Sequence, residues 1–136
     1  MSRDPIASRR HRRMPVRVPV RVSTIDSEID AHTGRPFFRA SREWCANLSR
    51  GGVYIRTEEP LTPGRRVLVE LQLPDGTPIE ATGRVAWARR VLDEAGRPEE
   101  TGVGVEFLGA TPRAYEAIDE FLRAAARRAP QGERRA

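Results

Sequence analysis

The sequence predicts an all-β domain, a barrel of six strands followed by one C-terminal helix. Three observations support this fold class. Apolar and polar residues alternate in several short stretches, turns containing glycine or proline separate these stretches, and the apolar period changes from two to 3.6 residues near residue 112. Six short strands at this spacing favour a closed or nearly closed barrel.

The length and composition suit one domain. The chain has 136 residues, of which 38% are hydrophobic and 32% charged, which is enough for one apolar core and too little for two. We expect residues 1–15 to form a basic arm, residues 16–128 the barrel and helix, and residues 129–136 a disordered tail. No stretch approaches the roughly 20 apolar residues of a membrane helix, and no signal peptide is recognisable. A cytoplasmic protein without membrane insertion is therefore expected.

The first three strands are expected in the N-terminal half. From Val16 to Val22 valines occupy every second position, which indicates a strand with one solvated face. Pro19 within this run predicts an edge strand or a neighbouring bulge. The polar segment 23–36 is expected to be a loop, a second strand runs roughly over 37–46, and a third over 53–56.

The remaining strands and the helix are expected at 67–73, 79–87, 103–107 and 112–128. Asp75 and Gly76 supply a hairpin turn between the first two of these strands, and Gly83 marks an expected bulge. Thr111 is a suitable N-cap with proline following it at the first helical position. The predicted core includes the helical stripe and four aromatic side chains, namely Tyr115, Ile118, Leu122 and Ala125 in the stripe and Trp87, Phe107, Tyr115 and Phe121 among the aromatics.

Positive charge is concentrated at the two ends of the chain. The formal net charge is +5, but residues 1–21 carry seven arginines against one acid and residues 123–136 carry five against one. Every basic residue is arginine, whose guanidinium group recognises phosphate and carboxylate groups bidentately. The base composition of a GC-rich genome can explain the missing lysine. It does not explain the clustering, so the basic arm is a candidate binding element.

No residue pattern indicates catalysis or a metal site. Cys45 is the single cysteine, so an internal disulfide is excluded, and His11 and His32 are too few to complete a structural zinc site with it. Neither histidine has a nucleophile at motif spacing, and the acids occupy the polar phases of the predicted strands and helix. We expect no enzymatic activity, no metal and no cofactor.

One candidate binding segment is the arginine cluster before the first strand, which includes Arg9, Arg10 and Arg13. In an extended chain, arginines four residues apart are separated by roughly 13 Å. They can therefore hold opposite sides of a ligand that contains several phosphates and purines. Their guanidinium groups can bond phosphate oxygens, bond the O6/N7 edge of guanine, or stack on a base.

A second candidate segment is the polar turn over residues 47–52. Asn47 and Ser49 have short side chains that can hydrogen-bond base edges or ribose. Gly51 and Gly52 allow close approach of the backbone and expose its N–H groups. This segment also fits a nucleotide ligand.

Both segments together resemble the PilZ domain family. The match consists of two motifs and two strand patterns in order, namely Arg9-x-x-x-Arg13 before Met14-Pro15-Val16, Asn47-x-Ser49-x-x-Gly52 before Val53-Tyr54-Ile55, Gly83-Arg84-Val85-Ala86-Trp87, and Gly102-Val103-Gly104-Val105-Glu106-Phe107. An Arg-x-x-x-Arg pattern alone means little in so arginine-rich a chain. The ordered set covers about residues 8–125 and ends in the amphipathic helix, which makes the resemblance specific.

The resemblance implies a six-stranded antiparallel PilZ-type β-barrel with a C-terminal helix, a domain that binds the bacterial second messenger cyclic di-GMP. In that case Arg9 and Arg13 bind phosphates and guanine faces or edges, and Arg10 supplements them. Asn47 and Ser49 hydrogen-bond one guanine, while the glycine pair, Gly51 and Gly52, completes the ligand-binding set, and Gly52 permits the turn. Family members are thought to order their arginine arm over the ligand and so present a new surface to an effector protein. A homodimer is compatible with this picture.

The sequence departs from the family pattern in two places. Position 47 is Asn where Asp is commoner, so a neutral carbonyl replaces a carboxylate acceptor and weaker ligand binding is expected. The segment 23–38 is longer than the usual first hairpin, which makes it a candidate partner surface. Arginines at 9, 13, 17 and 21 all fit the four-residue spacing, and the first pair is chosen because Pro15 and the valine alternation follow it.

Two other functions remain open from the residues. One is a small basic barrel that binds nucleic acid through its arms. It is not favoured, because only eight aromatic residues exist and half of them are assigned to the core. The other is a PilZ-like interaction module that has lost ligand binding. The intact motifs argue against this second function.

Overall fold

The computed structural model describes residues 14–97 and 99–128, and the structural statements below concern this part of the chain. It contains eight strands and one helix: β1 (Met14–Thr24), β2 (Glu28–Ile29), β3 (Pro36–Phe37), β4 (Ala40–Ser49), β5 (Gly52–Arg56), β6 (Arg66–Gln72), β7 (Pro78–Arg89), β8 (Gly102–Ala110) and α1 (Pro112–Arg128). The arm and the tail expected at the two ends fall almost entirely outside these residues.

Six of the strands form a closed barrel in the order β1-β4-β5-β8-β7-β6. All neighbouring pairs are antiparallel, and β6 closes the barrel by pairing with β1. Inward-facing aliphatic side chains from every strand fill the interior, with valines predominating. The expected six-stranded antiparallel barrel with one C-terminal helix is confirmed.

Strand β1 is paired on both sides along only half of its length. Its ladder with β4 runs from Met14 to Ser23, whereas its ladder with β6 begins at Val20. Pro19 therefore lies where the β6 ladder has ended, and a register shift against β4 lies between Pro15 and Val18. Because proline has no N–H to donate, a position beyond one ladder and next to a bulge accommodates it. Of the two alternatives expected for this proline, the neighbouring bulge is present, whereas β1 is not an edge strand because the barrel is closed.

The segment between β1 and β4 contains structure where a loop was expected. Strands β2 and β3 form a two-stranded sheet in which Glu28 pairs with Phe37. The buried Glu28 carboxylate accepts hydrogen bonds from the Thr62 backbone N–H at 3.2 Å and from the Thr62 hydroxyl at 2.7 Å. Strand β4 begins at Ala40, later than expected, because Phe37 belongs to this small sheet. Strands of two residues are too short to show a hydrophobic period.

The register of the β7–β8 pair shifts twice. One shift lies at Gly83, as expected, although the additional residue is Leu108 on β8. The other lies between Val85 and Trp87. Since an extra residue reverses the facing of all side chains beyond it, Trp87 lies on the outer face of the barrel. Its assignment to the core was wrong for this reason.

Helix α1 begins as its sequence predicted. The Thr111 hydroxyl accepts a hydrogen bond from the Ala114 backbone N–H at 3.1 Å, which identifies Thr111 as the N-cap. Ala114 and Ile118 are buried against the barrel, and Phe121 packs beside them. Phe107 of β8 and Leu122 of the helix are also partly buried against the core, as expected. Tyr115 is not part of that core, which corrects its predicted role.

No helix within the described residues has the length and apolar character needed to cross a membrane.

Candidate functional site

The segment over residues 47–52 divides between two strands and a very short turn. Asn47 to Ser49 are the last residues of β4, and Gly52 is the first residue of β5. Only Arg50 and Gly51 lie between the strands. The polar turn expected here is thus tighter than the sequence indicated, because Ser49 and Gly52 pair with each other in the ladder.

Ser49 organises this turn through its hydroxyl group. The Ser49 Oγ atom accepts hydrogen bonds from the backbone N–H groups of Gly51 at 3.1 Å and Gly52 at 3.2 Å, and it donates to the Gly52 carbonyl at 3.4 Å. The side chain is buried. These bonds give the Gly51 and Gly52 N–H groups a side-chain acceptor within the turn. The turn is also bonded to β8, since the Phe107 N–H donates a hydrogen bond to the Gly51 carbonyl at 2.8 Å.

Asn47 faces outward because β4 contains a bulge. Cys45 and Leu48 are both buried in the core although they are three residues apart, and the register against β5 skips Ala46. Strict alternation from Cys45 would have directed Asn47 inward. Among the hydrogen bonds of the described residues, none involves the Asn47 side-chain amide, which carries both a donor and an acceptor group.

A pair of aromatic rings lies beside Asn47 on the outer face. Tyr54 is the cross-strand partner of Asn47, and Gly104 and Trp87 continue the same row across β8 and β7. The rings of Tyr54 and Trp87 stack with centroids 5.3 Å apart and planes 17° from parallel. The Tyr54 hydroxyl donates to the Glu100 carbonyl, and burial raises the pKa of Tyr54. Sequence reasoning missed this platform because the bulge before Trp87 has no local signature.

The arginines of the arm, Arg9, Arg10 and Arg13, lie outside the described residues. The strand that follows them is described, and its register fixes where the arm joins the barrel. Met14 is paired with Leu48, and Pro15 with Asn47. The chain therefore leaves the barrel beside the Asn47 end of β4, next to the turn.

A groove of about 880 Å³ extends from this region across β1, β4 and β5. The exposed Trp44 ring lines this groove, with the Arg17 guanidinium carbon 4.7 Å from the ring centroid. Acidic and basic side chains line the groove in equal number, namely Arg17, Arg39, Arg42 and Arg56 with Glu43, Glu58, Glu59 and Glu100. Such a balance does not attract a polyanion, in contrast to the basic arm.

Within the described residues no cluster of three or more His, Cys, Asp or Glu side chains could hold a metal ion. The one cysteine, Cys45, is buried in the core, where burial raises the pKa of its thiol to about 12.

Comparison with solved structures gives several matches of the same fold. The inhibitor of motility MotI/DgrA from Bacillus subtilis aligns with a TM-score of 0.62 at 15% identity, over 96% of this chain and 55% of that protein. The PilZ domain of YcgR from Escherichia coli, solved with c-di-GMP, aligns with a TM-score of 0.57 at 16% identity, over 93% of this chain and 98% of that domain. The structure of YcgR from Escherichia coli in complex with c-di-GMP aligns with a TM-score of 0.60 at 16% identity, over 87% of this chain and 46% of that chain. This chain thus spans about half the length of MotI/DgrA and of YcgR.

At these identities the structural likeness concerns the fold. No curated protein matches the sequence. The PilZ domain family, in contrast, matches residues 7–124, which include both motifs and the whole barrel. This chain therefore belongs to the PilZ domain family.

Proposed function

We propose that this protein is a receptor for cyclic di-GMP that binds the ligand between its arginine arm and the end of β4, and that it acts through a partner protein without catalysing a reaction. The observation that carries the proposal is the register of β1 against β4. Met14 is paired with Leu48, which lies between Asn47 and Ser49 on β4. Arg13 directly precedes Met14 in the chain, so it is one residue away from this pairing.

The covalent chain limits how far the arginines can be from this turn. Consecutive Cα atoms are 3.8 Å apart, so the backbone of Arg13 lies within one such step of Met14. Arg9 is at most about 14 Å further along the arm, and Arg10 lies between the two arginines. These distances allow both motifs to contact one dinucleotide.

The chemistry of the outer face suits guanine. The free amide of Asn47 can accept from the N–H donors of a guanine edge and donate to its oxygen. The Trp87 ring, which is only partly buried and stacks on the buried Tyr54 ring, offers an apolar surface on the same face. Phosphates of the ligand then meet the arginines, whose planar groups also stack on bases. The Ser49 hydroxyl supports the site mainly by holding the turn.

The arm is proposed to become ordered when the ligand binds. Its closely spaced arginines repel one another, and residues 1–13 offer a single aliphatic side chain larger than alanine, Ile6, to pack. Cyclic di-GMP supplies both the countercharge and the planar surfaces that these arginines need. The ordered arm would present a new surface to a cytoplasmic effector. The likeness to MotI/DgrA makes motility proteins one class of effector to test.

Calorimetric titration with cyclic di-GMP, GTP and duplex DNA tests the proposal. We expect saturable heat with cyclic di-GMP and much weaker binding of GTP, because only the dinucleotide engages both motifs together. Raising the salt concentration should weaken this binding modestly, whereas binding to DNA through many phosphates would collapse steeply. Absence of heat with cyclic di-GMP, or equal affinity for GTP, would refute the receptor proposal.

A further inference from the structure

Arg50, the first residue of the turn, is held by helix α1. Its Nε atom lies 3.1 and 3.2 Å from the two carboxylate oxygens of Asp119, which is 69 residues away in sequence. Its guanidinium carbon also lies 4.8 Å from the centroid of the Tyr115 ring. Tyr115 and Asp119 are one helical turn apart, so they form one face of α1 that receives this side chain.

The position of Arg50 in the chain gives these contacts their significance. It is flanked by Ser49 and Gly51, which make the hydrogen bonds that shape the turn. Those bonds and the bond from Phe107 fix the turn to β4, β5 and β8. Arg50 adds a connection to a different element, the helix.

We propose that Arg50 is a positioning residue. It holds the turn over residues 47–52 in its binding conformation through Asp119 and Tyr115, and it thereby couples the docking of α1 to ligand binding. This inference deepens the proposed function and rests on it. Arg50 itself does not touch the ligand, because its guanidinium group is directed at the helix.

The coupling is reciprocal by thermodynamic necessity. If α1 stabilises the binding conformation of the turn, ligand bound at the turn stabilises the docked helix by the same free energy. The contacts are partly solvent-exposed, with side-chain exposures of 50% for Arg50 and 31% for Asp119. Exposed ion pairs and cation–π contacts are weak, so the effect on affinity should be about three- to tenfold.

The ion pair between Arg66 and Asp26 is a matched control. Its side-chain exposures of 51% and 34% are almost the same, and its shortest distance is 2.8 Å. It joins the segment after β1 to the start of β6, and none of the hydrogen bonds or ion pairs between these two side chains and the described residues reaches α1 or the turn. Asp26→Asn should therefore leave both the turn and ligand affinity unchanged.

Affinity for cyclic di-GMP is measured for Arg50→Ala, Asp119→Asn, Tyr115→Leu and the Arg50→Ala/Asp119→Asn double variant. We expect Arg50→Ala, which removes both contacts, to bind about three- to tenfold more weakly, and Asp119→Asn and Tyr115→Leu, which each remove one, about two- to fivefold more weakly. The double variant should bind no more weakly than Arg50→Ala, since Arg50 and Asp119 are partners in the same connection and the first substitution already removes it. Arg50→Lys, which keeps the charge opposite Asp119 but loses the planar stack, should recover part of the loss.

Two affinity results would overturn the inference. If Arg50→Ala weakens binding while Asp119→Asn and Tyr115→Leu do not, Arg50 contacts the ligand itself. If none of the three weakens binding more than Asp26→Asn does, the helix has no influence on the turn.

Hydrogen exchange without ligand provides a second readout that does not depend on the receptor proposal. The Gly51 and Gly52 amides should exchange several-fold faster in Arg50→Ala and Asp119→Asn than in the wild type, and at the wild-type rate in Asp26→Asn. Unchanged exchange in the first two variants would overturn the inference. If the wild type does not bind cyclic di-GMP, the proposed function fails, and exchange still decides whether Arg50 positions the turn.

Discussion

Gly52 lies so close to the backbone of Val105 that a Cβ atom at position 52 would be 2.0 Å from the Val105 carbonyl oxygen. The contact joins β5 to β8, where Gly52 is paired with Glu106. Because the obstructing atoms belong to a paired backbone, they cannot move aside without breaking the ladder. The glycine of the motif is therefore required for strand packing, in addition to any contact with a ligand.

Gly52→Ala should destabilise the protein by about 1–3 kcal/mol or more, since a forced backbone shift costs at least as much as overpacking a core. Urea denaturation monitored by Trp fluorescence measures this change. Gly109→Ala is the control, because nothing lies within 4 Å of a Cβ at position 109. A loss of stability no greater than that of the control would show that β8 can yield at this point.

Arg9→Ala and Arg13→Ala should each weaken binding of cyclic di-GMP far more than Arg135→Ala. Removal of a charged, bidentate hydrogen bond typically loses about 1.5–3 kcal/mol, which corresponds to roughly 10- to 150-fold in affinity. Calorimetry on the three variants makes the comparison. Similar losses at all three positions would indicate diffuse electrostatic attraction instead of two specific contacts.

Binding of cyclic di-GMP should protect two segments from hydrogen exchange, the arm around residues 9–13 and the turn over residues 47–52. The ligand brings these segments together and supplies the countercharge for the arginines. The α1 residues from Tyr115 to Ala125 should be protected before ligand is added, since the helix is already docked. Full protection of the arm without ligand would exclude the ordering mechanism but not binding itself.

The Cys45 thiol should be inert in the folded protein. It is fully buried, and burial raises its pKa to about 12, so almost no thiolate exists at pH 8. A chromogenic thiol reagent should therefore react only after denaturant is added, and one equivalent should react because the chain has one cysteine. Rapid reaction under native conditions would mean that β4 opens readily near its bulge.

The stability difference between the wild type and Asp26→Asn should depend on pH in a defined window. Side-chain hydrogen bonds from Arg66, followed by its backbone N–H, lower the pKa of Asp26 from 3.8 to about 2. A carboxyl group with a lowered folded-state pKa stabilises the protein above its unfolded pKa, and this contribution is lost as the pH falls towards the folded value. The difference should be constant above about pH 5, shrink steadily below about pH 4, and be lost as the pH falls through about 2. A difference of unchanged size between about pH 5 and pH 2 would contradict this assignment.

Bulges explain why the outer face could not be read from the sequence. Asn47 was correctly selected as a candidate residue, but its outward orientation depends on the extra residue Ala46. Trp87 was placed in the core because strict alternation from Val85 directs it inward, whereas the register shift between them turns it outward. One inserted residue moves all side chains beyond it to the opposite face of the strand, and no local sequence pattern indicates where such an insertion occurs.

What the sequence by itself determined is the six barrel strands, the capped helix at Thr111 and the family motifs, because alternation, capping and motif spacing are local properties of the chain. The tertiary structure decided which residues meet. The pairing of Met14 with Leu48 and the contact of Arg50 with Asp119 join segments that are distant in sequence. Such contacts follow from barrel closure and helix docking, which depend on the packing of the whole core and not on any single segment.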